Sequence, residues 1–305
     1  MDIKAILMGL LFAFMWASAF TSTRVVVIAS PPLTALIIRF GLSAVIAIAI
    51  ARAMGETWKL TRAEWRTVIF FGICQNGLYL GLNWVGMQTV EASAASIIAS
   101  IMPLLVAFLG WAVLGDRLRP MAITGLIAGV VGVVVIMAVR LRHGLDLAGT
   151  IMCLIAVVAL SVATLVARGA GGSRNVMMIV GLQMAVGAIS LLVPAAVMEW
   201  GQPINWSWQV VLAFAYSVLG PGIAATWIWF KLVARIGAVR ASTFHFLSPF
   251  LGVSIAAAFL GERFGPTDVI GALIVAVGIL MVQLSKVPQT SGLGPLSAPR
   301  APRRP

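Results

Sequence analysis

Ten long apolar runs, separated by short polar gaps, decide what this 305-residue chain can fold into. They lie at residues 5–28, 33–53, 65–86, 93–114, 120–139, 147–167, 176–198, 208–230, 241–260 and 267–284. A helix rising 1.5 Å per residue needs about twenty residues to cross the hydrocarbon core of a bilayer, and each run is close to that length. Inside hydrocarbon a chain must satisfy its own backbone hydrogen bonds, which a helix does within one segment. The expected fold class is therefore an all-α membrane protein with ten transmembrane helices. With 61% hydrophobic and 10% charged residues, no soluble domain is left between the runs.

The second constraint is an internal repeat. Residues 92–136 lie over residues 238–282 without a gap, with 13 identities in 45 positions. Matched Ala, Val and Leu mean little in such a chain, so the weight rests on six pairs: Pro103/Pro249, Gly115/Gly261, Arg117/Arg263, Pro120/Pro266, Gly125/Gly271 and Gly132/Gly278. Ten spans halved give five per copy, and an odd number makes the second copy cross in the opposite sense. The expected architecture is two inverted five-helix repeats, residues 1–143 and 144–286, around a central cavity. The basic, Pro-rich residues 287–305 are expected to be a disordered cytoplasmic tail.

Orientation follows from the cations. Of 21 lysines and arginines, only Arg24, Arg140, Arg142 and Arg263 fall on the side away from the N-terminus, and Arg39 alone falls well inside a span. The bias places both termini in the cytoplasm of a bacterial inner membrane. The net charge of +12 is explained by this topology, and nucleic acid is not expected as a partner. Cys74 and Cys153 both lie in apolar runs, so they carry no redox information.

The same inventory excludes several chemistries. All nine acidic residues lie at or beyond span ends, which leaves no midplane carboxylate to carry a proton or hold a cation. No phosphate-binding G-x-x-x-x-G-K-[ST] loop and no cluster of metal ligands occurs. No catalytic residue, cofactor or metal is expected, and the chain is not expected to be an enzyme.

What remains are polar and aromatic residues inside the spans. Arg39 must meet something polar, either an anion in a pathway or carbonyls and hydroxyls between packed helices. Gln75, Asn76, Tyr79 and Asn83 recur along the third span as a polar stripe that lipid would not tolerate. On the fourth, Ser96 and Ser100 form a small hydroxylated stripe, which lines a pathway or lets helices pack closely. Helical spacing puts Ser242, His245, Ser248 and Gly252 on one face of the ninth. There His245 is either a titrating group or a neutral residue hydrogen-bonded between helices. Tyr216 shares a face with Trp227 on the eighth span, where Gly220-Pro221-Gly222 loosens the helix, and Trp16 is the matching deep aromatic on the first. Together Trp16, Arg39, Gln75, Asn76, Tyr79, Asn83, Ser96, Ser100, Tyr216, Trp227, Ser242, His245 and Ser248 are the candidate substrate-binding residues.

Several short motifs carry a family resemblance: W-A-S-A-F at 16–20, A-L-I-I-R-F at 35–40, A-S-I-I-A-S-I-M-P at 95–103, and L-G-D-R at 114–117 echoed as L-G-E-R at 260–263. With the two five-span halves, they resemble the EamA repeats of the drug/metabolite transporter superfamily, and within it the YddG-type amino acid exporters. That resemblance implies a cavity walled by the first, third, fourth, sixth, eighth and ninth spans. It also implies export of amino acids, aromatic ones included, by alternating access. Without a midplane carboxylate, facilitated diffusion or exchange fits more easily than tight proton coupling. The partners expected are the small-molecule substrate and membrane lipid; the sequence does not set the oligomeric state, and a monomer is compatible with it. The competing readings are an exporter of lipophilic cations or other drugs, and a non-transport membrane protein such as a lipid-modifying enzyme or scramblase.

Overall fold

The computed structural model describes residues 3–115, 118–142, 146–166, 175–236, 241, 243–263 and 265–285. The loop residues Asp116, Arg117 and His143, Ser242, and the tail from 287 therefore lie outside the described residues. Ten apolar helical segments follow in chain order: α1 (Ile3–Ala29), α2 (Pro32–Ala53), α3 (Arg62–Gly86), α4 (Ala92–Leu114), α5 (Pro120–Arg142), α6 (Leu147–Val166), α7 (Val176–Met198), α8 (Trp208–Ile236), α9 (Thr243–Leu260) and α10 (Pro266–Ser285). Eight are long enough to cross a membrane over their described length, and the apolar stretches of α5 and α9 are shorter. The outward faces are apolar, with Val45, Val193 and Phe259 each about 70% exposed or more, as lipid contact requires.

The helix ends follow from local chemistry. Pro32 opens α2 at the position where a missing N–H costs nothing. Thr61 and Glu64 bond reciprocally across the first turn of α3. Gly115 and Gly261 end α4 and α9 at φ 71° and 66°, a left-handed conformation that glycine adopts without penalty, which explains the repeated Leu-Gly motif.

Four helices are irregular, and they are irregular in matched pairs. In α4 the chain breaks at Ile101, one residue before the turn that holds Pro103; in α9 a 3₁₀ turn, Thr243–Leu247, precedes Ser248 and Pro249. Third helices of both halves widen into π turns, Gly72–Tyr79 in α3 and Val218–Ala224 in α8. Each π turn begins at the same place in its repeat. Such wide turns are rare and gather where helices serve function.

Packing between the halves is reciprocal: α2 lies along α7, α4 along α9, and α5 along α10, while α1 meets α8 and α9 as α6 meets α3 and α4. The contacts at the ends show that these pairs run antiparallel. Glu199, just beyond α7, accepts the Leu33 and Thr34 amides at the start of α2 at 2.9 and 2.7 Å. Glu56, just beyond α2, accepts the Met178 amide at the start of α7 at 2.8 Å. Glu262, after α9, accepts the Ala92 and Ser93 amides of α4 at 2.8 and 2.9 Å. Each carboxylate satisfies orphan N–H groups at the positive end of a helix dipole, so these three acidic residues at span ends have a structural task. Between α5 and α10, a methyl built on Gly125 would meet the Gly278 carbonyl at 2.7 Å, and one on Gly132 the Gly271 carbonyl at 2.8 Å. Apolar burial gives little drive between helices in lipid, and this close backbone approach supplies van der Waals contact instead.

Candidate functional site

The candidate residues fall into three neighbourhoods. The first lies between α1, α8 and α9, in the half of the bundle nearer the N-terminus. His245, on the 3₁₀ turn of α9, is buried with its ring among those of Phe12, Trp16 and Trp229, at centroid distances of 5.3, 5.5 and 5.3 Å. All three meet it edge to face, the arrangement that aromatic quadrupoles favour. The expected face shared by His245, Ser248 and Gly252 is not formed, because the 3₁₀ turn advances the chain by three residues per turn instead of 3.6. His245 points at α1 and α8, whereas Ser248 and Gly252 pack on α4. There Ser96 Oγ donates to the Ser248 carbonyl at 3.3 Å, and Gly252 leaves room for the Ser96 side chain itself. Ser100 donates within its own helix, to the Ile97 carbonyl at 2.6 Å. Trp227 is half-buried, with the Lys231 ammonium 5.6 Å from its ring.

A second neighbourhood joins α3 to α6 and α7. Because a π turn holds more residues per turn than an α turn, Gln75, Asn76, Tyr79 and Asn83 do not make one face. Asn76 donates its amide to the Gln183 carbonyl at 2.9 Å and packs on Gly187, which commits it to α7. Gln75 is half-buried, while Tyr79 is buried within electrostatic reach of Cys153 and Arg39. The amide of Asn83 lies 3.8 Å from Cys153 Sγ on α6.

The third neighbourhood lies between α1, α2, α3 and α8. Arg39, two turns into α2, is 6% exposed. Its Nε donates to the Ser217 carbonyl at 3.1 Å, its guanidinium lies 5.3 Å from the Phe40 ring and 5.6 Å from the Trp84 ring, and its Nη1 has no hydrogen-bond partner. Every carboxylate among the described residues lies in a first turn or beyond a helix end, so none reaches this depth. One turn on, the buried Ser43 hydroxyl also has no partner. Beside them the Tyr216 and Ser18 hydroxyls are 2.6 Å apart. Ser18 also donates to the Met15 carbonyl, so Tyr216 is the donor between the two. Ser18, Ser43, Phe12 and Trp229 were absent from the expected set. Ser43 follows Arg39 by four residues and Phe12 precedes Trp16 by four, so the helical period alone could have found them.

Among the described residues no three His, Cys, Asp or Glu side chains come together to hold a metal ion. What the bundle does contain is polar and aromatic groups buried between apolar helices, flanked by matched irregular turns. Fold and interior together define a multi-pass helical membrane protein. The model of the EamA-like transporter family matches this chain twice, over residues 3–138 and 147–284, and the chain belongs to that family of membrane transporters. It is 24% identical over 291 residues to the uncharacterized transporter YvbV of Bacillus subtilis, covering 94% of this chain and 95% of that one. It is also similar to the WAT1-related protein At3g02690, chloroplastic, of Arabidopsis thaliana, at 22% identity over 88% of this chain and 67% of the other. A solved crystal structure shares the fold with a TM-score of 0.66 at 20% identity, covering 93% of this chain and 98% of that chain.

Proposed function

We propose that this transporter exports amino acids, aromatic ones included, and related small zwitterionic metabolites across a bacterial inner membrane, with both termini in the cytoplasm. Transport proceeds by alternating access, as facilitated diffusion or exchange, through a central path between α1, α3, α4, α6, α8 and α9. One observation carries this reading: the four irregular turns occur in repeat-matched pairs, at Ile101 and Leu247 and in the π turns of α3 and α8. Two halves that bend at equivalent places can exchange roles, and a rocking motion then joins inward-open and outward-open states of similar energy. The ring cluster around His245 and the buried cation Arg39 supply the apolar and the ionic surfaces that an aromatic zwitterion needs. Purified protein in liposomes tests this by uptake and counterflow of labelled L-phenylalanine and other amino acids, with and without a pH gradient. Flux above that of empty vesicles, kept without the gradient, is the expected result. An absence of amino acid flux overturns the substrate, and flux that vanishes without the gradient overturns the uncoupled mechanism.

A further inference from the structure

We infer that Arg39, Ser43 and Gly222 form a subsite for the carboxylate end of the transported molecule. This inference rests on the export reading above and adds to it the end of the substrate that is gripped and the residues that grip it.

The argument comes from comparing one place in the two halves. In the first half the π turn of α3 faces α7: Asn76 packs against Gly187, and its amide donates to the Gln183 carbonyl. In the second half the π turn of α8 faces α2, and there Gly222, 146 positions after Asn76, stands against Ser43 and Arg39. Arg39 and Ser43 are four residues apart on α2, just as Gln183 and Gly187 are on α7. The same corner is thus built twice with opposite contents. One copy is filled by an amide side chain whose hydrogen bond is made. The other has no side chain on its π turn; of the two polar side chains beside it, the Ser43 hydroxyl has no partner, and Arg39 uses Nε on the Ser217 carbonyl while its Nη1 has none.

A methyl on Gly222 would sit 3.3 Å from Ser43 Oγ and 3.7 Å from Arg39 Nη2. The Ser217 carbonyl lies nearer still, at 2.9 Å, so the absent Cβ lets the π turn approach closely and puts no side chain between it and the two groups. A buried donor left unmade costs about 1–3 kcal/mol, and more when charged, so two on one helix face call for an acceptor. Among the described residues the chain does not supply an anionic one. A carboxylate is the fitting ligand: it accepts only, it neutralises the guanidinium, and its two oxygens match the planar fork of arginine. Phe40 and Trp84 hold the guanidinium by their faces without using its N–H groups, so the fork stays available.

Protein in lipid nanodiscs tests the subsite with two probes that share a ring: 3-phenylpropionate, which has the carboxylate and no amine, and phenethylamine, which has the amine and no carboxylate. Direct binding of each labelled probe is measured for wild type, Arg39→Lys and Ser43→Ala. Expected is saturable 3-phenylpropionate binding, weakened about tenfold or more by Arg39→Lys and a few-fold by Ser43→Ala, with phenethylamine changed by neither. Ser43→Ala removes one hydroxyl without adding volume and keeps the test intact if Arg39→Lys does not fold. Equal 3-phenylpropionate binding in wild type and both variants overturns the subsite, as does an absence of binding in wild type. Counterflow of L-phenylalanine separates the two readings. Arg39-dependent binding of the carboxylate probe without amino acid flux keeps the subsite and removes amino acid export. Flux that 3-phenylpropionate inhibits equally in wild type and Arg39→Lys does the reverse.

Discussion

Glu199 and Leu33 stand 166 residues apart in the chain, yet a Glu199 carboxylate oxygen accepts the Leu33 amide at 2.9 Å. The other oxygen takes the Thr34 amide and hydroxyl at 2.7 and 2.8 Å, so one buried carboxylate closes the start of α2. Hydrogen bonds to charged groups contribute about 1.5–3 kcal/mol each in mutational series, with overlap within one cluster. Glu199→Ala is expected to destabilise the protein by about 2–4 kcal/mol, with Glu199→Gln intermediate because its amide accepts through one oxygen only. Thermal unfolding in detergent micelles checks the order; a Gln variant as weak as the Ala variant would mean that charge alone matters here.

The α5–α10 contact makes a sharper prediction about volume. Gly278→Ala would set a methyl 2.6 Å from the Gly125 carbonyl, and neither backbone can yield without parting the helices. A loss of about 1–3 kcal/mol is expected from overpacking. Gly41→Ala is the control, because nothing lies within 4 Å of the added carbon. There a gain of up to about 1 kcal/mol is expected from helix propensity. Equal effects in an unfolding assay would remove the glycine contact from the account.

Asn76 and Asn83 are expected to separate by readout. Asn76→Ala removes the donor to the Gln183 carbonyl and opens a gap at Gly187, so its main loss is stability, about 1–3 kcal/mol. Asn83→Ala and Tyr79→Ala face α6 and Arg39, and their main loss is expected in flux per folded molecule. Unchanged flux in both of the latter would remove α3 from the transport path.

At the start of α6, outside the span, Asp146 accepts from the Thr89 hydroxyl at 2.6 Å and from the Gly149 amide at 2.7 Å. These bonds, the Thr89 one foremost, hold its carboxyl below the usual aspartate range. A depressed value means that the charged form is favoured in the folded state. The contribution is present above the unfolded value of about 3.9 and is lost as pH falls through the folded one. The stability gap between wild type and Asp146→Asn should therefore be constant from pH 7 to about pH 5 and narrow below about pH 4. A gap that stays constant down to pH 2.5 would show that the titration plays no part.

Much of this fold could be read from residue order, because span length and the repeated Pro and Leu-Gly motifs report directly on hydrocarbon thickness and helix ends. Gly125/Gly271 and Gly132/Gly278 were visible as equivalent positions, but equivalence is not contact. In the folded chain Gly125 meets Gly278 and Gly132 meets Gly271. The candidate residues fared differently where the period of 3.6 fails. Gln75, Asn76, Tyr79 and Asn83 form a stripe only on a regular helix, and no residue type announces a π turn. His245 parts from Ser248 for the same reason at a 3₁₀ turn. Arg39 was legible as a charge in need of a polar neighbour, whereas the missing side chain opposite it, at Gly222, belongs to a helix more than 180 residues away.

The crossed glycines also say how the molecule is held together as an assembly. Each half offers two close-contact glycines on its last helix, and the other half answers with the same two in reverse order. This is the rule of a twofold interface between identical subunits, written here inside one chain. The link from α5 to α6 then sets stoichiometry more than shape. Two separate polypeptides, one ending after α5 and one beginning at α6, are expected to find each other in the membrane when made together. Co-purification of a tagged first half with the second would show it, and recovery of the first half alone would mean that the link itself holds the halves together.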